Sequence, residues 1–164
     1  SVSSMVAPDA LPSLLRPLDY WQIVGWARAS SQWAADAERH ATRLGCWDDR
    51  CRSIGTLSLG QRMKVAIIGA LLGDAPVVLM DEPLNGLDVS ARIALRELLQ
   101  EHAKGKLVIV VVHALDFAVR HTSQCVAFDG SSKVLAFLGT PADAETTLAR
   151  EAALEAFITN HPPR

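Results

Sequence analysis

The chain reads as an α/β fold that is helical at its front and carries a parallel sheet in its middle. Three observations lead there. Residues 19–45 keep helical spacing with no strand pattern, the short runs Val77–Met80 and Leu107–Val112 are wholly apolar, and residues 89–103 between those runs are helical again. Short continuous apolar runs alternating with helices are the pattern of parallel strands covered on both faces.

The first 18 residues hold Pro8, Pro12 and Pro17 among small polar residues and read as a strand remnant and loop. Asp19 can cap one long helix or the first of two shorter ones over 19–45. Asp48, Asp49 and Gly55 mark a turn, after which Ser58 opens a helix to about Leu72 that Gly73-Asp74-Ala75-Pro76 ends. Val77–Met80 is the first buried strand, Val89, Ile93, Leu95, Leu98 and Leu99 set the next helix until Gly105, and Leu107–Val112 is the second buried strand. A short helix over 114–121 precedes a hairpin, 124–128 with 134–138, closed by Asp129-Gly130-Ser131-Ser132. Two helices, 141–150 and 151–159, complete the chain. The expected organisation is a remnant over 1–18, a helical subdomain over 19–75, an α/β core half over 76–140 and C-terminal helices over 141–164.

Bulk composition narrows the function classes. With 164 residues the chain can bury roughly 70% of its unfolded surface. A net charge of −2, with the charges dispersed, supplies no basic field for nucleic acid. Three cysteines (Cys46, Cys51, Cys125) without metal-site spacing, and no signal peptide, fit a reducing cytoplasm. The longest apolar stretches fall short of the roughly 18 residues of a membrane span. The sequence starts Ser-Val-Ser-Ser in mid-pattern, which suggests a fragment of a longer polypeptide.

The chemistry gathers at two places. Leu57-Ser-Leu-Gly-Gln61 puts a serine and a glycine at a helix start, where unpaired N–H groups and the helix dipole favour an anion. A plain capped helix would use Ser58 equally well. Asp81-Glu82-Pro83 ends the first apolar strand, at the rim where α/β folds place ligands. There Asp81 can hold Mg²⁺ through its water shell and Glu82 can polarise an attacking water, which points to nucleotide hydrolysis. His113 ends the second strand, from which an imidazole can reach a γ-phosphate and that water, though a lone strand-end histidine is more often structural. In Leu84-Asn-Gly-Leu-Asp88, Gly86 permits a tight turn, and Asp88 can cap the next helix or reach across an interface. No G-x-x-x-x-G-K-[ST] phosphate loop occurs in the sequence; Gly55–Gly60 has that spacing but is followed by Gln61-Arg62.

In this order and spacing the four elements resemble the ATP-binding cassette (ABC) ATPases. Leu57–Gln61 resembles the signature motif with Leu59 in place of a glycine, Val77–Glu82 the Walker B strand, Leu84–Asp88 the D-loop and His113 the switch histidine. The resemblance implies half of a P-loop NTPase-like (RecA-like) parallel-sheet core plus an α-helical subdomain, with ATP and Mg²⁺ as ligands. It implies that Ser58, Leu59, Gly60, Gln61 and Asp88 bind nucleotide, the signature acting on a partner's ATP. Asp81 would hold the metal and Glu82 and His113 would catalyse, all on the chain's own nucleotide.

The implied partners are a second nucleotide-binding subunit and a transmembrane permease, with the chain cytoplasmic and peripheral on the inner membrane face and no nucleic acid bound. The phosphate loop is absent, and the family's Q-loop glutamine is replaced by Val6-Ala-Pro-Asp9, Gln22 lying too far into the first helix. The Leu57–Met63 run, Gly139-Thr140-Pro141 and Ala153–Ile158 resemble exporter cassettes. In these a permease docks in a groove of the helical subdomain, which Trp21, Trp26 and Trp33 can line if they are not core. The alternative to an ATPase subunit is a truncated or split cassette that only offers its signature face to a partner.

Overall fold

A three-stranded parallel sheet organises the first of two units in the computed structural model, which describes residues 1–128, 134–138 and 144–160. The units are Ser1–Val111 and Val112–Arg164. In the first, β1 (Val2–Ser4), β2 (Val77–Asp81) and β3 (Leu107–Val111) lie in the order β1-β2-β3, with Val2 beside Val77 and Val77 beside Leu107. The register sorts the side chains into two faces. Ser3, Val78 and Met80 are buried on one, while Val2, Leu107, Ile109 and Val111 are exposed on the other. The expectation of a second strand buried on both faces is therefore corrected: β3 is an edge strand, and alternate residues of it face solvent.

The buried face meets α3 (Leu59–Leu71), a helix apolar almost all round because it is covered on several sides. Met63 and the whole run Val65–Leu71 are buried, and the Ser3 hydroxyl donates to the Ala70 carbonyl at 2.6 Å. Two helices pack on it, α1 (Pro17–Ala27) and α2 (Trp33–Arg43), so of the two options for residues 19–45 the pair of shorter helices is the one that forms. Ala29, in the left-handed region at φ 52, ends α1 with the paired bonds Ala29 N–H to Trp26 O and Ser30 N–H to Gly25 O. Asp19 is not the cap of α1. Pro17 starts the helix, as its fixed φ and missing N–H favour, and the Asp19 carboxylate reaches back to the Arg16 N–H. Trp21 is fully buried and donates its indole N–H to Val65 O at 3.1 Å, which makes it core. Trp33 packs on Gly25, and Trp26, 66% exposed, is left at the surface beside Ile23.

Asp88 caps α4 (Val89–His102) by accepting from Ala91 N–H at 2.8 Å, and Arg43 of α2 reaches Glu97 and Glu101 of α4. The second unit contains α5 (Leu115–His121), the antiparallel pair β4 (Gln124–Phe128) and β5 (Val134–Leu138), and α6 (Ala144–Asn160). Arg120 of α5 forms an ion pair with Glu151 of α6 at 2.9 Å. The two expected terminal helices are one helix, because the alanine-rich junction near residue 150 contains neither glycine nor proline to break it. The hairpin turn at 129–132 and Gly139-Thr140-Pro141 lie outside the described residues.

One buried side chain makes the first unit acid-sensitive. His40 of α2 is 6% exposed, its Nδ1 has no hydrogen-bond partner, and burial, aided by the Arg39 charge, lowers its pKa to about 4. Asp36 opposes that shift, while His102 and Arg43 reinforce it. The unfolded chain takes up this proton below about pH 6.5 whereas the folded chain resists until about pH 4, so the stability it contributes is complete above the first value and declines toward the second. Urea denaturation should show a loss of about 2 kcal/mol between about pH 7 and about pH 5, and a His40→Leu variant should show a flatter profile over that interval.

Candidate functional site

The N-terminus of α3 is built from a reciprocal pair. Ser58 Oγ accepts from Gln61 N–H at 3.2 Å, and Gln61 Oε1 accepts from Ser58 N–H at 2.8 Å. This capping box fixes the entry of the chain into the helix. The Gln61 amide is oriented in turn, since its Nε2 donates to Asp49 at 2.8 Å. The Ser58 hydroxyl keeps its own proton available to an outside acceptor, and Leu59, 48% exposed, and Gly60 flank it at the surface. Thus Ser58, Leu59, Gly60 and Gln61 stand together on one exposed helix terminus, whose dipole favours an anion.

The turn after β2 returns to that terminus. Gly86, at φ 72, places its carbonyl so that a Cβ on Gly60 would lie 2.4 Å from it, so backbone meets backbone with no room for any side chain at Gly60. One helical turn further along α3, Lys64 Nζ meets Asp88 Oδ2 at 3.2 Å. The other oxygen of Asp88 accepts from the Ser90 hydroxyl at 2.6 Å and from Ala91 N–H at 2.8 Å. The Ser90 bond first, then the Ala91 bond and Lys64, hold the Asp88 carboxyl well below the usual carboxylate range. Asp88 is therefore a helix cap and an ion-pair partner within one chain.

Asp81 ends β2 on the exposed face of the sheet, beside Val111 of β3. Glu82 comes next, in the left-handed region at φ 48, held by the bond from its N–H to Val111 O at 2.9 Å and by Asn85 N–H donating to its carbonyl at 3.1 Å. A non-glycine residue there costs on the order of 1–3 kcal/mol and persists because the ladder on one side and the turn on the other define it. Among the described residues no group of three or more His, Cys, Asp or Glu side chains is assembled for a metal. A magnesium ion shared between one carboxylate and nucleotide phosphates needs no such group, so an exposed Asp81 fits it. His113 lies in the second unit, two positions past the end of β3 and before α5, with its side chain exposed. The structure thus brings Ser58, Gly60, Gln61 and Asp88 together in the first unit, with Asp81 and Glu82 leading into the same turn.

The ABC transporter family profile matches residues 4–85. The chain belongs to the ABC transporter family. Two curated ABC relatives are named as phosphonates import ATP-binding proteins. That of Pseudomonas aeruginosa is 34% identical over 123 residues, covering 67% of this chain and 44% of the relative; that of Caulobacter vibrioides is 34% identical over 134 residues, covering 80% and 50%. The ABC chain spans between 32% and 50% of the length of the curated relatives it matches. A solved ATP-binding subunit of an ABC transporter superposes with a TM-score of 0.66 at 25% identity, over 76% of this chain and 53% of that one. An RNase-L inhibitor, at 19% identity and a TM-score of 0.66, covers 98% of this chain and 30% of its own, and shows the shared fold alone.

These neighbours and the parallel sheet with its helices establish the P-loop NTPase ABC fold. They also correct the expected direction of transport: the curated relatives carry import names, so the exporter assignment does not stand. Its sequence basis was in part the Leu57–Met63 run, whose local structure is a capped helix start and encodes no direction. Sequence reasoning also missed Lys64 and Asp49. A lysine directly before the apolar run Val65–Ile68, one helical turn from the Gly60 contact, was the signal that could have revealed the first.

Proposed function

We propose that this chain provides one part of an ATP-hydrolysing cassette that drives a membrane transporter. The observation that carries the reading is the seating of Gly60 on Gly86, which joins an anion-favouring helix terminus to the segment bearing Asp81 and Glu82. In this reading Ser58 and Gly60 form the signature face and donate to the γ-phosphate of ATP held by a second cassette. Asp81 holds Mg²⁺ on the chain's own nucleotide, which neutralises phosphate charge when bound. Glu82 takes a proton from the attacking water, and His113 positions that water and the γ-phosphate.

The exposed face of the sheet, with Val2, Leu107, Ile109 and Val111, supports packing of a further βα segment that carries the phosphate loop, since parallel sheets are covered on both faces. Ile23 and Trp26, exposed on α1, are the apolar candidates for contact with a permease. Trp21 is excluded from that surface by its burial. No helix among the described residues is long and apolar enough to cross a membrane, and a peripheral position on the cytoplasmic side through the permease accords with this reading. The import names of the relatives favour inward transport.

The non-catalytic reading, a cassette that lends its signature face and turns over no ATP of its own, has one observation behind it: none of the 164 residues form the phosphate-loop motif. Calorimetry and hydrolysis together separate the two. The chain alone should bind ATP no tighter than about millimolar, because one metal carboxylate leaves most of the phosphate charge uncompensated. Supplied with a phosphate-loop-bearing segment it should hydrolyse ATP with Mg²⁺. No hydrolysis once the loop is supplied would overturn the ATPase reading, and micromolar binding by the chain alone would overturn the expectation that the nucleotide needs that loop.

A further inference from the structure

A cleft of about 430 Å³ opens in the first unit where the α1–α2 turn, the end of α3 and the end of α4 meet. It lies at the opposite end of the sheet from Asp81. Gly73 and Asp74 lead into β2 and Lys106 into β3, whereas Asp81 and Val111 close those strands, roughly 16 Å away at the rise of a five-residue strand. None of the nucleotide-directed residues described above lines it. Three cations, Arg28, Arg39 and Lys106, face two acids, Asp36 and Asp74, which leaves one net positive charge while the histidines are neutral.

The cations differ in how readily they can take another anion. Arg28 has no acid partner among the described residues. Its Nη1 donates to the carbonyls of Gly69, Ala70 and Leu72 at 2.7, 3.2 and 2.7 Å, and its stem lies against Gly73, so the donors of Nε and Nη2 are unused. Burial lowers the Arg28 pKa, the mark of a cation that those carbonyls compensate incompletely. Lys106 meets Asp74 at 2.7 Å, but its side chain is 20% exposed and that of Asp74 is 96%. The lysine is set in the wall and its acid stands in water, so Asp74 can turn away at little cost. In the Arg39 to Asp36 pair the order is reversed, with the acid held and the arginine outside.

Two imidazoles complete the polar lining. His40 is 6% exposed with no partner for Nδ1, and His102 is half-buried. Burial lowers both, reinforced by Arg39, His102 and Arg43 for His40 and by Lys106 for His102, while Asp36 opposes the shift in both and Asp74 in His102. Glu101 and Lys104 border the continuation of the cleft past the two rings. Apolar lining is confined to Ala29 and Leu71, so nothing here suits a lipid chain.

We propose that this cleft binds the dianionic phosphoryl group of a small soluble metabolite, with Arg28 and Lys106 as its ligands once Asp74 has swung out. The volume exceeds that of a bare oxyanion and leaves room for the organic part of such an ester. A dianion beside His40 and His102 favours their charged forms, so binding takes up a proton and tightens as the pH falls. The inference is independent of the ATPase reading.

The test titrates the purified chain with sodium sulfate at constant ionic strength, sulfate remaining a dianion throughout the range so that any pH dependence belongs to the protein. Calorimetry should give a Kd of about 1 mM or tighter at about pH 6.5, weakening about threefold or more by about pH 8. The ring-proton resonances of His40 and His102 should shift in NMR spectra while those of the other histidines stay. Glycerol 3-phosphate should compete with sulfate and bind at least as tightly. Lys106→Gln should weaken sulfate about tenfold, whereas Asp74→Asn should tighten it about threefold, an opposition of sign that misfolding cannot produce. Should Lys106→Gln not fold, Asp74→Asn, a change at an exposed side chain, decides alone. A Kd unchanged by Asp74→Asn, or histidine resonances at 40 and 102 that ignore sulfate, would overturn the inference.

Discussion

Glu82→Gln, in the chain supplied with a phosphate loop, should lower the single-turnover rate of ATP hydrolysis by about 10²–10⁴-fold while nucleotide binding survives. The substitution is close to isosteric and leaves the backbone bonds of the position untouched, namely the N–H to Val111 O and the carbonyl that accepts from Asn85. What it removes is a proton acceptor. Glu82 sits at φ 48, so its side chain departs from β2 in a direction that an extended residue would not give it. A glutamate serving only as the end of a strand would not need that conformation, and its replacement would leave hydrolysis unchanged. Rapid-quench kinetics at saturating ATP, with binding measured separately, reads the two quantities independently. Unchanged turnover would remove Glu82 from the proton-transfer role.

Gly60→Ala should be the most damaging single-methyl change at the site. The new Cβ would stand 2.4 Å from the Gly86 carbonyl oxygen, and because both contacting groups are backbone, no side-chain rotation can relieve the overlap. The expected loss of stability is about 1–3 kcal/mol, the range for overpacking, with a larger effect on turnover because relief requires α3 and the 84–88 turn to move apart. Gly45→Ala is the matching control: Gly45 has φ 66 with nothing within 4 Å of the added Cβ, so only the left-handed backbone penalty of about 1 kcal/mol applies. Urea denaturation of the two variants beside their hydrolysis rates distinguishes the contact from general glycine strain. Equal losses in both measurements would show that the Gly60 contact has no special role.

Much of this architecture was legible in the residues. The run Val77–Met80 ending in Asp81 specified a strand and its rim, and Ser58 with Gln61 three positions later spelled a capping box. What local pattern could not supply was partnership across the fold. Periodicity distinguishes an apolar strand from a polar one but not a covered face from a bare one, so the exposure of Leu107, Ile109 and Val111 was invisible. Similarly, the tryptophans of the front helices look alike in sequence, yet Trp21 lies under α3 and Trp26 at the surface, because only one faces the helix they wrap. The meeting of Gly60 with Gly86 depends on the lengths of α3 and β2, which send the chain away from the terminus and back to it. The capping role of Asp88 was one of two options in the sequence, and the structure shows it together with an ion pair to α3 that sequence spacing does not reveal.

The bare side of the parallel sheet also governs how this polypeptide behaves in a test tube. Val2, Leu107, Ile109 and Val111 form a water-facing apolar band, and β3 is a sheet edge within its unit. Such a surface invites strand-to-strand association between copies. Kept alone and concentrated, the protein should therefore self-associate through these exposed side chains, whereas any partner surface that covers them should keep it dispersed.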